Sequence, residues 1–415
     1  MLNSVKGELR LMLVNGKVLV GNNKKLLQSL PDSYVQCVVT SPPYWGLRDY
    51  GTADWVGGDP DCSHRRETKK SDKTITGHKN FDDMLGVSDA IYKDVCLRCG
   101  AKREDEQLGL ELTPEDYVNQ LADVFDEIWR VLKDDGTVWL NIGDSYAGSG
   151  KGPAGNLGAN HNERHMEHAH SAIVPDGLKA KDLVGIPWRV AFELQRRGWY
   201  LRSDIIWHKP NPMPESVKDR PTKSHEYIFL LTKNDKYFYD YMAVREKGVI
   251  AAGTKGAKGS EERSSMEKVN SRPPEYKIYD GYRNKRDVWS VATKPYKEAH
   301  FAVYPIALVE PCVLAGTSAH GECVSCGKAW KPTTQKDEET GGTISGPFVK
   351  DCKCETLDVR PQVVLDPFSG SGTTGLVSLE HGRNYLGLEL NPDYAEISRK
   401  RLSDALGMMA EIEVV

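Results

Sequence analysis

Residues 363–389 read VVLDPFSGSGTTGLVSLEHGRNYLGLE. An apolar run ends in Asp366-Pro367-Phe368. Gly370-Ser371-Gly372-Thr373-Thr374-Gly375 follows, a G-x-G-x-x-G that opens an apolar helical segment. A second apolar run ends in Glu389, about twenty residues beyond the first glycine. Strand, glycine turn, helix, strand and acidic residue, in that order, are the context in which this pattern carries meaning. Glycines let a ligand approach the backbone, and a carboxylate at the end of the second strand can accept both hydroxyls of a ribose. The competing explanation is a glycine turn kept only for close strand–helix packing. The stretch predicts an α/β domain with a nucleoside-cofactor site in its last part. A nicotinamide oxidoreductase is one reading, but such an enzyme usually opens with its glycine loop, and this loop lies late in the chain.

A second stretch raises a different question. YVQCVV, ending at Val39, is a short apolar run, and TSPPYWGLRDYG follows it over residues 40–51. Consecutive prolines remove two backbone donors and stiffen the chain. The residue before a proline is pushed to extended conformations, so Ser41 and Pro42 are both held extended. Ser41, the Pro42 carbonyl, Pro43 and Tyr44 are therefore presented as one rigid array. A strand-terminating turn is the plainer alternative.

The rest of the chain sets bounds. With 415 residues, two or three structural units are expected. No apolar run approaches the ~20 residues of a membrane span, and the N-terminus lacks a signal-peptide layout. A cytoplasmic protein with no membrane partner is expected. The net charge of −4 does not announce a nucleic-acid partner, although a local basic patch could serve one. Nine cysteines in such a chain point to metal before disulfides.

Periodicity divides the chain further. Residues 1–55 contain strand, short helix and strand, and 56–112 read as an insertion. Residues 113–145 hold a strong helix, capped by Thr113 with Pro114 in its first turn, then a strand. Over 146–295, DLVGIPWRVAFELQRRG reads as a helix, WYLRSDIIWHKP as a strand, and SHEYIFLLTK with KYFYDY as two strands, read as a hairpin. Residues 145–180 and 247–275 read as a mobile loop and a disordered basic segment. A helical stretch lies in 296–317, a cysteine-bearing insertion in 318–360, and the glycine-loop unit in 361–415.

The combination resembles the amino-methylating DNA methyltransferases. DPFSGSGTT resembles their methyl-donor motif and TSPPY their catalytic motif. Catalytic motif first and donor loop last is the order of the β-class. RVLKDDGTVWLNIGDSY, IIWHKPNPMPESVKDRPTKSHEYIFLLTK and RDVWSVATKPYKEAHFAVYP look like further family segments. The resemblance implies a Rossmann-like S-adenosylmethionine-dependent methyltransferase fold in permuted order, acting on double-stranded DNA, with a cognate restriction endonuclease as a possible partner. It implies a donor site of Asp366, Phe368, Gly370, Gly372 and Thr373, with Glu389 on the ribose. His300, Phe301 and Ala302 would close over the methionine end. Ser41, Pro42, Pro43 and Tyr44 would form the catalytic pocket.

Such an array suits the chemistry. An exocyclic amine is a poor nucleophile because its lone pair is delocalised into the ring. The Ser41 hydroxyl and Pro42 carbonyl can accept its N–H bonds and favour a pyramidal nitrogen. Tyr44 offers a face to a base that has left the duplex. Serine in the first position leans to cytosine N4, since adenine N6 enzymes of the family more often carry Asp or Asn there. Cytosine C5 chemistry would need a cysteine after proline. The one Pro-Cys pair, Pro311-Cys312, sits in an apolar helical stretch and reads as packing. An RNA methyltransferase and a non-catalytic zinc DNA-binding protein on the same fold are the other readings.

Two cysteine sets lie in the insertions. Cys323-x-x-Cys326 with Cys352-x-Cys354 resembles a zinc ribbon. Cys62-x-His64 with Cys96-x-x-Cys99 has a longer gap, and similar insertions occur in the family. Two structural zinc ions are expected, with ordinary reduced thiols as the alternative. His161, His165, His168 and His170 read as a solvated loop. Arg196, Arg197, Arg202, Lys209, Lys218, Arg220, Lys223, Arg283, Lys285 and Arg286, with Trp199 and Trp207, read as a candidate DNA-binding region against a merely solvated charged face.

Overall fold

The computed structural model describes residues 14–46, 54–64, 95–148, 174–248, 255–256, 277–278, 281–294, 303–338, 343–407 and 410–415. Nine strands build one sheet: β1 (Val14–Val20), β2 (Val35–Thr40), β3 (Leu132–Ile142), β4 (Tyr200–His208), β5 (His225–Thr232), β6 (Val288–Ser290), β7 (Val363–Asp366), β8 (Asn384–Glu389) and β9 (Ala410–Val414). Their order across the sheet is β6-β4-β5-β3-β2-β7-β8-β1-β9. β5 is antiparallel to both its neighbours, and every other pairing is parallel. All six residues of β2 are buried, as a central parallel strand covered on both faces requires.

Among the described residues six helices cover the sheet: α1 (Asn23–Gln28), α2 (Pro114–Val131), α3 (Ile186–Arg196), α4 (Ile306–Gly316), α5 (Thr373–Glu380) and α6 (Pro392–Leu406). α2 begins as its sequence demands. The Thr113 hydroxyl accepts the Asp116 amide at 3.1 Å, and Pro114 takes the first turn, where its missing N–H costs nothing. The apolar face of α2, from Tyr117 and Leu121 to Phe125 and Ile128, enters the main core with α3, β2, β3 and β5. The opposite face of the sheet carries α4, whose Cys312 is 1 % exposed and packs with Cys37 and Val39. The reading of Pro311-Cys312 as helix packing is the one the fold realises.

Two expectations need correction. KYFYDY forms no strand, because its Phe238 and Asp240 amides bond the Asp135 and Ala315 carbonyls instead of a ladder; the antiparallel partners of β5 are β4 and β3. Trp199 and Trp207 are buried in the two cores and offer no surface to a displaced base. Arg197 reaches Glu193, Asp123 and Asp126 at 2.5–2.9 Å and ties α3 to α2.

The insertions are small lobes. Asp54–Val56 pairs with Lys102–Glu104 in one, and Lys331–Lys336 with Thr343–Val349 in the other. In the second, Glu322–Cys323 pairs with Val359–Arg360, so the lobe leaves and rejoins the domain at adjacent points. Among the described residues no helix is long and apolar enough to cross a membrane. His161, His165, His168 and His170 lie outside the described residues, as does most of 247–275.

Candidate active site

β2 and β7 are neighbours, with Cys37 opposite Val364 and Val38 opposite Leu365. Chain direction carries the continuing backbone from α5 and β8 to one side and from α2 and β3 to the other. The carboxyl edge between these two strands is thus a topological switch point, where open α/β sheets bind ligands. Ser41 leaves the end of β2 there, and Pro367 leaves the end of β7.

A buried carboxylate joins the two exits. Asp366 is wholly buried. Its Oδ1 accepts the Thr40 hydroxyl at 2.7 Å and the Phe368 amide at 3.1 Å. Its Oδ2 accepts the Tyr304 hydroxyl and the Thr374 hydroxyl, each at 2.8 Å. Burial pushes this carboxyl up, and the four donors pull it back. Asp366 therefore holds the loop through its protein contacts. Thr40, Tyr304 and Thr374 escaped sequence reasoning, although Tyr304 stands just beyond His300, Phe301 and Ala302. Those three lie outside the described residues.

The glycines have separate tasks. Gly372 caps α5 with φ +76°, and a Cβ there would meet the Ser398 hydroxyl at 2.2 Å. A Cβ on Gly375 would meet the Tyr385 ring at 2.6 Å, so this glycine lets α5 lie on β8. The Gly370 amide donates to Glu389 Oε2 at 2.7 Å, and the Asn391 amide to Oε1 at 2.9 Å. Burial pushes the Glu389 carboxyl up to about 7. Arg401 donates to the Ser371 carbonyl and the Thr373 hydroxyl at 3.1 and 2.9 Å. Phe368 is partly buried against the main core.

In the other half, Pro42 is buried and Ser41, Pro43 and Tyr44 are partly so. The Tyr117 hydroxyl donates to the Pro43 carbonyl at 2.9 Å. Among the described residues, none donates to the Pro42 carbonyl. Tyr44 donates its hydroxyl to Glu226 at 2.8 Å. Behind the array, the Trp45 indole donates to the Glu111 carbonyl at 2.9 Å and the Gly46 amide to the Gly109 carbonyl at 2.8 Å. The lobe that ends at residue 112 therefore braces the Pro-Pro segment.

Each cysteine set converges. Ligand atoms of Cys62, His64, Cys96 and Cys99 lie within 4.8 Å of one another, and so do those of Cys323, Cys326, Cys352 and Cys354. The Cys62 and Cys96 sulfurs are 3.8 Å apart. A tetrahedron with metal–sulfur bonds of about 2.3 Å has an edge of about 3.8 Å. Both C-x-x-C-G turns share one backbone pattern: Gly100 donates to the Cys96 carbonyl at 2.7 Å, and Gly327 to that of Cys323 at 2.8 Å. His64 stacks on Trp55 with ring centroids 4.4 Å apart.

A sequence profile of the DNA methylase family, N6/N4 type, matches residues 35–400 and so spans both halves of this site. The chain belongs to that family. It is 38% identical over 393 residues to the type II methyltransferase M.Cfr9I of Citrobacter freundii, covering 94% of this chain and 88% of that protein. It is 37% identical over 388 residues to the type II methyltransferase M.SmaI of Serratia marcescens, covering 93% and 90%. It is a DNA methyltransferase that takes its methyl group from S-adenosylmethionine, on a permuted Rossmann-like fold.

Replacing Asp366 by Asn leaves a carboxamide N–H₂ facing hydroxyl donors in a fully buried pocket. The variant should lose about 1–3 kcal/mol of stability. Denaturant unfolding monitored by circular dichroism checks this; an unchanged midpoint would contradict the anchoring role.

Proposed function

We propose that the methyl group goes to the exocyclic N4 of cytosine in double-stranded DNA, with adenine N6 as the second reading. The observation carrying the proposal is the emergence of Ser41-Pro42-Pro43-Tyr44 beside the glycine loop, fastened by Thr40 and Asp366. When bound, the donor supplies an electrophilic sulfonium methyl. Gly370, Gly372, Thr373 and Phe368 line its site, Asp366 anchors the loop, and Glu389 accepts the ribose hydroxyls. His300, Phe301 and Ala302, outside the described residues, would hold its methionine end in this reading. The Ser41 hydroxyl and the Pro42 carbonyl accept the amine protons, and Tyr44 faces the displaced base. Attack by the nitrogen is direct, because no thiol stands in the array and Cys312 is buried elsewhere. Serine at position 41 favours cytosine.

Each cysteine set holds one zinc ion in this reading: Cys62, His64, Cys96 and Cys99 the first, Cys323, Cys326, Cys352 and Cys354 the second. The ions are structural cross-links in lobes with few buried apolar residues. The relatives named as type II methyltransferases suggest a cognate restriction endonuclease as partner. A prokaryotic or phage-encoded protein acting in the cytoplasm fits both.

Four measurements test these assignments. Nucleoside mass spectrometry of duplex DNA incubated with labelled donor should find the label in N4-methylcytosine. Label in N6-methyladenine would move the target base, and label in 5-methylcytosine would overturn direct attack. Ser41→Ala should slow transfer by about tenfold or more while donor binding survives.

Donor affinity should depend on pH through Glu389. The ionised carboxylate is the form that accepts two hydroxyls. With its midpoint near 7, binding at pH 6 requires a proton to leave, and at pH 8 it does not. Affinity measured calorimetrically should fall about tenfold from pH 8 to pH 6, and Glu389→Gln should flatten the profile. A pH-independent wild type would remove Glu389 from the donor site.

Elemental analysis of protein purified without chelator should approach two zinc ions per chain. A value near zero, with all thiols freely titratable, would sink the metal reading.

A further inference from the structure

β5 is the reversed strand, so its first residues lie at the edge where the parallel strands end. This brings Glu226, the second residue of β5, against the Pro-Pro array. Glu226 Oε2 accepts the Tyr44 hydroxyl at 2.8 Å and the Asn141 carboxamide at 3.3 Å. Oε1 is held by the Lys209 ammonium. The Glu226 side chain is only 15% exposed. Asn141 is fixed in turn by donating to the Tyr227 carbonyl at 3.0 Å, and Lys209 lies over the Trp207 ring at 4.2 Å. On the far side, Gly143 admits the Tyr44 ring: a Cβ there would stand 2.6 Å from its Cε2.

We propose that Glu226 is a positioning residue for methyl transfer. It fixes the hydroxyl of Tyr44 and thereby the plane that the ring presents to the base. The inference rests on the reading of Ser41–Tyr44 as the catalytic array. A tyrosine held only by its ring packing can slide and tilt. One held at its hydroxyl by a carboxylate, and along its edge by Gly143, has one orientation. Lys209 takes Oε1 and leaves Oε2 to accept from Tyr44 and Asn141. A purely structural role explains less. Buried ion pairs add little to stability compared with apolar packing, and here the pair converges on one hydroxyl of the array. Glu226 touches neither base nor donor in this role and acts through Tyr44.

A double-mutant cycle in the full-length chain tests this, with unmethylated plasmid DNA and tritiated S-adenosylmethionine. Glu226→Ala and Tyr44→Phe should each lower kcat about ten- to hundredfold, with donor affinity held. The double variant should be no slower than the slower single, because both substitutions abolish the same Tyr44–Glu226 hydrogen bond. Effects that multiply, or a Glu226→Ala variant with wild-type kcat, would overturn the inference. Should Glu226→Ala fail to fold, Glu226→Asp keeps a carboxylate beside Lys209 while withdrawing it from the hydroxyl. It should lower kcat only when Tyr44 carries its hydroxyl, and an equal loss in the Tyr44→Phe background would count against the role. Ser41→Ala run alongside separates the two levels. If it stays fully active, the reading of the array fails and takes this inference with it. If it is inactive while the cycle is multiplicative, only the role of Glu226 falls.

Discussion

Asp366 is the contact on which the site depends. Its carboxylate accepts from the end of β2, from its own loop, from α5 and from the segment before α4. Thr40 and Asp366 are 326 residues apart in sequence. A buried carboxylate is tolerable only when its lone pairs are met, so these four donors must arrive together. That condition fixes the register of β2 against β7. A slip of one residue would turn Thr40 to the other face and leave the carboxylate short of a partner. The relative position of the Pro-Pro array and the glycine loop is thus a consequence of strand register, set before any ligand binds.

Much of this arrangement could be read from local chemistry. The glycine loop carried its own context, and Thr113 with Pro114 marked the start of α2. Other parts depended on partners that a sequence does not name. The alternation in YLRSDIIWH marks a strand but not the strand beside it, so β4 and β5 could not be paired in advance, and the reversed direction of β5 was invisible. Glu226 looked like one acid in a strand-like run. It becomes significant because reversal brings the start of β5 to the ligand edge. Trp199 and Trp207 stood among arginines in the sequence and suggested a nucleic-acid surface. The fold buries both rings, and Arg197 finds carboxylates on α2. Residue type signals what a side chain can do, and packing decides whether it faces outward.

The two lobes show how a small insertion can be kept in place. Among its described residues the first has Cys96 and Ala101 as fully buried apolar residues, with Trp55, Cys62 and Cys99 against them. Such a cluster cannot offset the conformational entropy of ordering the segment. In the proposed reading, a zinc ion on the convergent ligands supplies the missing constraint. The lobes then attach differently. The first runs through Gly109 and Glu111 onto the back of the Trp45–Gly46 turn. The second is fastened at its root, where buried Glu322 meets Lys133 of β3 and, at 2.9 Å, Arg360. One lobe therefore stiffens the Pro-Pro array directly, and the other secures the chain between α4 and β7.

Charge at the ligand edge follows the same logic of occupied partners. The connection from β4 to β5 crosses this edge, and its Lys209, Arg220 and Lys223 are already engaged. Arg220 pairs with Glu215 at 2.6 Å and stacks on Tyr146, while Lys209 pairs with Glu226. Lys181 pairs with Asp219 at 2.6 Å. The Lys223 ammonium donates to the Asp144 carbonyl at 3.1 Å, and burial lowers its affinity for a proton. A phosphate approaching such a cation exchanges one oxygen acceptor for another, so the gain is a difference between two pairings. The net charge of −4 therefore does not set the field at this edge, since the pairing of individual side chains, and not their number, decides it.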